Sequence, residues 1–96
     1  MPRYISLLRF TDQGARELRR STTRAHDFDA AAVRAGVKIE GQYWTLGGCD
    51  GVLITSAPDE GAILHLLADL VTAGNVRPET MPAFIDAEFD AILRAP

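Results

Sequence analysis

The chain has 96 residues, which allows one domain with a modest core of its own. Its composition, 47% hydrophobic and 24% charged, is that of an ordinary globular protein, and its net charge of −3 argues against a general nucleic-acid binder. No apolar run approaches the roughly 20 residues that cross a bilayer, the first residues lack a signal peptide's apolar run, and Cys49 has no disulfide partner, so we expect a cytoplasmic protein.

The first third of the chain predicts one strand and two helical segments. Residues 4–10 are rich in aromatic and aliphatic side chains on both faces of the strand, and helix N-cap residues follow. A short helix over about residues 12–20 places Ala15 and Leu18 inward. After a polar break, the helix resumes over about residues 23–35 and ends at a glycine.

The middle of the chain predicts a β-hairpin. Residues 37–46 alternate as a strand does, so that Ile39, Gly41 and Tyr43 lie on one face and Trp44 lies on the other. The glycine-rich stretch 47–51 forms the turn, because glycine accepts positive φ, and residues 52–57 form the third strand.

The second half predicts the clearest amphipathic helix, a further strand and a last short helix. The long helix opens with acids after Pro58 and ends at Gly74. Its apolar stripe follows helical spacing: Ile63, Leu66, Leu67, Leu70 and Val71. Residues 76–84 form the fourth strand, and its prolines favour an edge position. A terminal helix capped by Asp86 has as its buried side Phe89, Ile92 and Leu93.

This order of elements, β-α-β-β-α-β with a terminal helix, indicates a ferredoxin-like α+β fold. Two helices would cover one face of a four-stranded antiparallel sheet and leave the other face bare. The first strand is apolar on both faces, with Ile5 and Leu7 opposite Tyr4 and Leu8. Because such a bare face is too apolar for a typical monomer, we expect sheet-on-sheet packing in a homodimer or a larger even-numbered oligomer.

Three segments, which together span essentially the whole chain, resemble the GYD-domain family. They are residues 4–14, residues 43–47 followed by Asp50, and residues 75–80 followed by Ala83 and Phe84. Gly47 and Asp50 match the pattern that names the family, but Cys49 stands where its tyrosine is expected. The resemblance implies a ferredoxin-like fold akin to the dimeric α+β barrels, and it implies no characterised activity.

Several reactive side chains have ordinary interpretations. An arginine cluster is either a solvated helix face or an anion site: Arg16, Arg19, Arg20 and Arg24. His26 and His65 fall beside the apolar helix stripes without metal-ligand spacing, so we expect no metal site. Cys49 would need a base to become a nucleophile and is interpreted as a turn residue.

Seven side chains are candidates for a ligand site: Ser6, Arg9, Tyr43, Trp44, Asp50, Thr55 and Arg77. Asp50 would accept hydrogen bonds from its own turn, or act as a general base at a cavity mouth. One of the two aromatic residues would enter the helix-covered core, and the other would line the sheet face or a pocket. Arg9 and Arg77 would protect strand edges, form salt bridges, or bind a carboxylate or phosphate.

The sequence leaves three functions open. The first is a small-molecule binding protein whose pocket lies at the sheet face or the subunit interface, with no cofactor and a regulatory or stress-related role. The second is a cofactor-free enzyme of the dimeric-barrel type, an oxygenase or isomerase acting on a small organic substrate. The third is an assembly module without a ligand. They differ in whether the sheet face encloses a cavity lined by convergent polar groups.

Overall fold

The computed structural model describes all 96 residues and contains the predicted order of elements. The elements are β1 Arg3–Phe10, α1 Asp12–Arg16, α2 Ser21–Arg34, β2 Lys38–Trp44, β3 Gly51–Ser56, α3 Glu60–Ala73, β4 Val76–Ala83 and α4 Asp86–Arg94. The strands lie in the order β2-β3-β1-β4, and each neighbouring pair is antiparallel. This order is consistent with a ferredoxin-like fold and confirms the predicted class, with the proline-containing strand β4 at one edge.

Helix α3 has the caps that its sequence favours, and α2 ends at the predicted glycine although no side chain caps its start. The Asp59 side chain accepts a hydrogen bond from the Ala62 N–H at 2.8 Å and starts α3, and Gly74, at φ 84°, ends it. Gly36 follows α2 at φ 75°. The α3 stripe packs as predicted except for Val71, which is 53% exposed. None of the helices combines the length and the hydropathy that crossing a membrane requires.

The helix predicted over residues 12–20 is shorter than expected. A 3-10 turn separates α1 from α2, and α2 begins at Ser21. The break between the helices therefore lies before the polar residues 21–23, which were predicted to form the break. Ala15 and Leu18 are exposed instead of buried. Gly14 is the buried residue of α1, because this helix rests its backbone on the carbonyl of Asn75.

The strict alternation predicted for β2 is wrong, because a β-bulge shifts the register between Ile39 and Gly41. Ile39 and Trp44 therefore both face the helices, while Gly41 and Tyr43 face the open side of the sheet. The Tyr43 ring covers Gly41 so closely that a Cβ at residue 41 would stand 2.9 Å from Tyr43 Cε2. The predicted opposition of Tyr43 and Trp44 is confirmed.

The helix-covered face of the sheet carries a small core at one end. Only 13 of the 96 residues are buried, so most of the chain's apolar side chains keep some exposure. The core cluster contains Tyr4, Ala32, Val37, Ala57, Ile63, Leu66 and Leu67. Burial raises the pKa of the Tyr4 phenol, and the carboxylates of Glu60 and Asp59 add to the shift.

Helix α4 projects away from the sheet. Every residue from Phe84 to Pro96 is exposed, so the predicted burial of the α4 apolar side is wrong for this chain on its own. Arg3 Nη1 reaches Glu88 Oε1 across 3.7 Å near the start of α4. The radius of gyration, 14.4 Å, exceeds the about 12.5 Å of a compact chain of this length. The helix therefore extends the molecule instead of joining its core.

Candidate functional site

A cavity of about 390 Å³ lies between α2, α3 and the helix-covered face of the sheet. Its apolar lining includes Leu8, Phe10, Phe28, Leu66, Leu70 and Val76. The cavity lies toward the Phe10 end of β1, whereas the core cluster includes Tyr4 near the other end. Short side chains line it on both helices, Ala25 and Ala31 on α2 and Ala73 on α3, and they leave the space that larger residues would fill.

About a third of the residues that line this cavity are polar or charged: Ser21, Arg24, Asp27, Gln42, Asp50, Asp69 and Asn75. The Trp44 indole Nε1 donates a hydrogen bond to Ser21 Oγ at 3.2 Å, which fixes the indole against the start of α2. Arg24 Nη1 donates to the carbonyl oxygen of Glu17 at 2.8 Å, while Arg24 Nη2 is buried without a partner. An apolar lining with a small number of placed polar groups is typical of small-molecule pockets.

Asp50 holds the end of β1 in place. Its Oδ2 accepts a hydrogen bond from the Phe10 N–H at 2.9 Å, and its own N–H donates to the carbonyl oxygen of Leu8 at 2.8 Å. The prediction that its carboxylate would bind N–H groups of its own turn is wrong, because that carboxylate bonds across to the neighbouring strand. This bond gives Asp50 a structural role at the rim of the cavity.

Replacing Asp50 should therefore lower stability. We expect Asp50→Ala to reduce the free energy of unfolding by about 2 kcal/mol, because the Phe10 N–H loses its acceptor. Asp50→Asn keeps an acceptor oxygen and should cost about half as much. Urea unfolding of both variants measures the effect, with the exposed Asp27→Ala as a control. Equal stability of Asp50→Ala and the unmodified chain would contradict the structural role.

Ser6 and Thr55 are completely buried on the helix-covered face and do not line the cavity. Ser6 Oγ and Thr80 Oγ1 share a hydrogen bond of 2.7 Å. Thr55 Oγ1 has no partner. Both hydroxyls belong to the packed interior of the sheet, where neither is open to a ligand from solvent.

The hydroxyls of Thr55 and Thr80 predict opposite responses to an isosteric apolar substitution. Thr55→Val should raise the free energy of unfolding by about 1 kcal/mol, because it removes an unpaired buried hydroxyl. Thr80→Val should lower it by a similar amount, since it leaves Ser6 Oγ unpaired. Thermal and urea unfolding of the two variants provide the comparison. A destabilised Thr55→Val protein would show that this hydroxyl has a bonding role.

Arg9 and Arg77 lie on the open face, opposite each other in the pairing of β1 with β4. Arg9 Nε donates to the carbonyl oxygen of Gly48 at 3.1 Å, and Arg9 Nη1 lies 3.8 Å from Glu79 Oε2. The ion pair with Glu79 is one of the three roles that the sequence leaves open for Arg9. The two arginines lie on the opposite side of the sheet from the cavity and do not line it.

A second cluster of charged side chains lies at the other end of the open face. Glu40 Oε2 accepts hydrogen bonds from Ser56 Oγ at 2.5 Å and from Arg3 Nε at 2.8 Å. These two hydrogen bonds hold the pKa of Glu40 below its usual range, and the bond from Ser56 has the larger effect. The resulting stabilisation is present above the ordinary glutamate pKa and is lost as the pH falls through the lowered value.

Between these charged ends the open face is apolar. Its centre consists of Ile5 and Leu7 on β1 with Val52 and Ile54 on β3, all partly exposed. Tyr43 and Met81 extend it on the outer strands, with exposed fractions of 59% and 38%. The predicted apolar character of both sheet faces is confirmed.

The seven candidate residues thus fall into three places. Trp44, Asp50 and Tyr43 line the cavity, although the Tyr43 ring lies over the open face. Ser6 and Thr55 lie in the core. Arg9 and Arg77 lie on the open face. Sequence reasoning missed Arg24 as a cavity residue. The available signal was its position four residues before Phe28, which places both side chains on one face of α2.

The remaining reactive side chains lie outside the cavity. His26 and His65 are exposed, as expected from their positions beside the helix stripes. Cys49 is partly buried in the hairpin turn, where its Sγ lies 3.5 Å from Thr45 Oγ1. Thr45 Oγ1 also donates to the Cys49 carbonyl oxygen at 2.7 Å, so this pair closes the turn.

Comparison with known proteins identifies relatives by sequence. The sequence profile of the GYD domain matches residues 4–93. A protein of the bacterium Thermus thermophilus, named glutamine synthetase and cystathionine beta-lyase binding protein, is 30% identical over 95 residues, which cover 98% of this chain and 100% of that protein. No solved structure matches the chain significantly.

Proposed function

This chain belongs to the GYD-domain family, and we propose that it is a self-associating protein that binds metabolic enzymes. The observation that carries the proposal is the uncovered apolar surface. The open face exposes the Ile5 and Ile54 side chains in the middle of the sheet, and nothing in the chain covers them. Sheet-on-sheet packing of two copies would bury both faces at once.

The size of the open face sets a requirement for this dimer. Four strands spaced by about 4.8 Å and rising about 3.3 Å per residue give a face of about 400 Å². A standard interface buries about 800 Å² on each partner. The sheet face therefore supplies about half of what a stable dimer needs, and another surface of each chain has to contribute.

Helix α4 is suited to supply that surface. It has nine residues, and isolated helices shorter than about 12 residues are marginal in water. Its apolar side chains Phe89, Ile92 and Leu93 are more than half exposed. Packing α4 against the second copy would bury this side, stabilise the helix and extend the interface beyond the sheet. The predicted buried side of α4 is then buried by the partner.

An enzyme partner is supported by the Thermus thermophilus relative, whose name states that it binds glutamine synthetase and cystathionine beta-lyase. The similarity spans the two chains end to end, so each element of the fold, α4 included, has a counterpart in the sequence of that protein. A cytoplasmic location, as expected from the sequence, would bring this chain together with enzymes of this kind.

The distribution of polar groups favours binding over catalysis. A cofactor-free enzyme needs several polar side chains that converge on one pocket. The candidate polar residues are instead divided among the cavity, the core and the open face, and Asp50 is engaged by the backbone of β1. Enclosure of a small molecule between two open faces stays a prediction.

The test is binding of the purified chain to glutamine synthetase and cystathionine beta-lyase from the same genome. Size-exclusion chromatography with light scattering, at micromolar concentrations, should detect a complex with at least one of the two enzymes. The control is an unrelated oligomeric enzyme of similar charge, which should elute unchanged. Absence of a complex with either enzyme would overturn the proposed partner and leave the question of self-association to its own measurement.

A further inference from the structure

We infer that the cavity between α2 and α3 is a binding site for a small monocarboxylate with an apolar body. It lies on the side of the sheet opposite the proposed dimer face, so this inference does not depend on the proposed function. Its volume of about 390 Å³ is within the range of about 300–1,000 Å³ that is usual for small-molecule sites. The ligand would enter between the two helices.

The apolar part of the ligand is indicated by the lining. Aromatic rings from β1 and α2 and aliphatic side chains from α3 and β4 line the space: Phe10, Phe28, Leu66, Leu70 and Val76. Helix and sheet interiors are normally packed to the density of organic crystals. A space of this size lined by apolar atoms is therefore best filled by an apolar molecule of matching shape.

The carboxylate is indicated by Arg24. Its Nη1 is satisfied by the Glu17 carbonyl, which fixes the guanidinium in one position, and its Nη2 is buried without an acceptor. Arg24 makes no salt bridge to any acidic side chain of the chain, and Asp50 is occupied by the Phe10 N–H. Buried donors are normally paired, and a guanidinium matches a carboxylate in both charge and planar geometry.

The surrounding charges limit the ligand to one negative charge. Three carboxylates also line the cavity. Those of Asp27 on α2 and Asp69 on α3 are exposed, and that of Asp50 accepts a hydrogen bond from the Phe10 N–H. They would repel a phosphate or a dicarboxylate, whose second charge would have no cation to meet. Trp44, held by Ser21, provides a flat apolar wall of the same cavity. A monocarboxylate whose head contacts Arg24 and whose body contacts Phe28 meets all of these conditions.

The experiment is a titration of the full ¹⁵N-labelled chain with octanoate and, separately, with 1-octanol, which has the same chain length without the charge. Octanoate should shift the amides around the cavity, such as those of Phe10, Phe28 and Leu70, and should bind at least about tenfold more tightly than octanol. Shifts confined to the open face and α4 would overturn the inference, because they would indicate adhesion to the exposed apolar surface.

Matched variants locate the charge recognition. Arg24→Gln should weaken octanoate binding at least about tenfold and leave octanol binding unchanged, since it removes the cation and keeps an amide donor. Arg20→Gln removes an exposed arginine that does not line the cavity and should change neither affinity. Ala31→Phe, which fills the space, should weaken both ligands. Equal octanoate affinities for Arg24→Gln and Arg20→Gln would overturn the role of Arg24.

Discussion

Replacement of Ile5 by glutamate should convert the protein into a folded monomer. Ile5 lies between Ile54 and Met81 at the centre of the open face, so a carboxylate there is solvated in a single chain and buried without a partner in a sheet-on-sheet dimer. Each unpaired buried charge costs roughly 3 kcal/mol of the free energy of association. A two-fold interface contains this charge twice, so the dissociation constant should rise by about 10⁴-fold.

The matched control for this substitution is Leu64→Glu. Leu64 is 68% exposed on α3, away from the open face, and its replacement introduces the same charge. Sedimentation velocity at micromolar concentration should show Ile5→Glu at the mass of one chain and Leu64→Glu assembled, while circular dichroism shows both folded. An assembled Ile5→Glu protein would contradict the assignment of the open face as the dimer interface.

Replacement of Gly14 by alanine should be the most destabilising single-methyl change in the protein. A Cβ at residue 14 would overlap the carbonyl oxygen of Asn75, which is backbone and cannot move aside on its own. Two hydrogen bonds hold α1 at the same place. The Thr11 N–H donates to the Asn75 carbonyl oxygen at 3.1 Å, and Thr11 Oγ1 donates to the Gly74 carbonyl oxygen at 2.6 Å. Displacing α1 would break both, so we expect a loss of about 3 kcal/mol.

Gly61→Ala is the control for this effect. Gly61 lies in the first turn of α3, as Gly14 does in α1, and a Cβ there would meet only the Asp59 side chain at 3.3 Å. Alanine in that helix should be neutral or stabilising by up to about 1 kcal/mol. Chemical denaturation compares the two variants. Equal stability of Gly14→Ala and Gly61→Ala would show that α1 does not rest on the α3–β4 turn in solution.

The sequence predicted the fold well where a local pattern and the tertiary environment agree. The stripe from Ile63 to Leu70 shows one face of α3, and the glycines after α2 and α3 show their ends. The prolines of β4 indicated its edge position, since proline cannot donate to a neighbouring strand. Each of these signals acts within a few residues and needs no knowledge of distant contacts.

The errors arose where a distant part of the chain decides the outcome. Gly14 is buried by a turn some sixty residues away, and no periodicity within α1 could reveal that contact. The bulge in β2 depends on its pairing with β3, so strict alternation wrongly placed Ile39 on the same face as Gly41 and Tyr43. The apolar side of α4 was predicted to be buried from its helical spacing, but the chain supplies no surface that covers it.

The candidate site could be predicted only in part, because contacts between distant parts of the chain also form the cavity. Trp44 and Asp50 were found because an aromatic residue and a carboxylate beside a glycine turn stand out in any sequence. The cavity itself results from alanines on facing helices, and small residues give no local signal of an empty space. Arg24 was one of four clustered arginines, and its spacing from Phe28 was the one sequence signal; in the structure its bond to Glu17 and the burial of its Nη2 distinguish it.

Sedimentation equilibrium of the unmodified chain over the micromolar range tests the central proposal most directly. The single chain has a mass of 10.4 kDa, and the proposed dimer should give twice that mass. A chain that ends at Ala83 and lacks α4 should dissociate at higher concentration than the whole chain, because it loses that helix's share of the interface. A mass of one chain across the whole range, with the fold intact, would contradict the account.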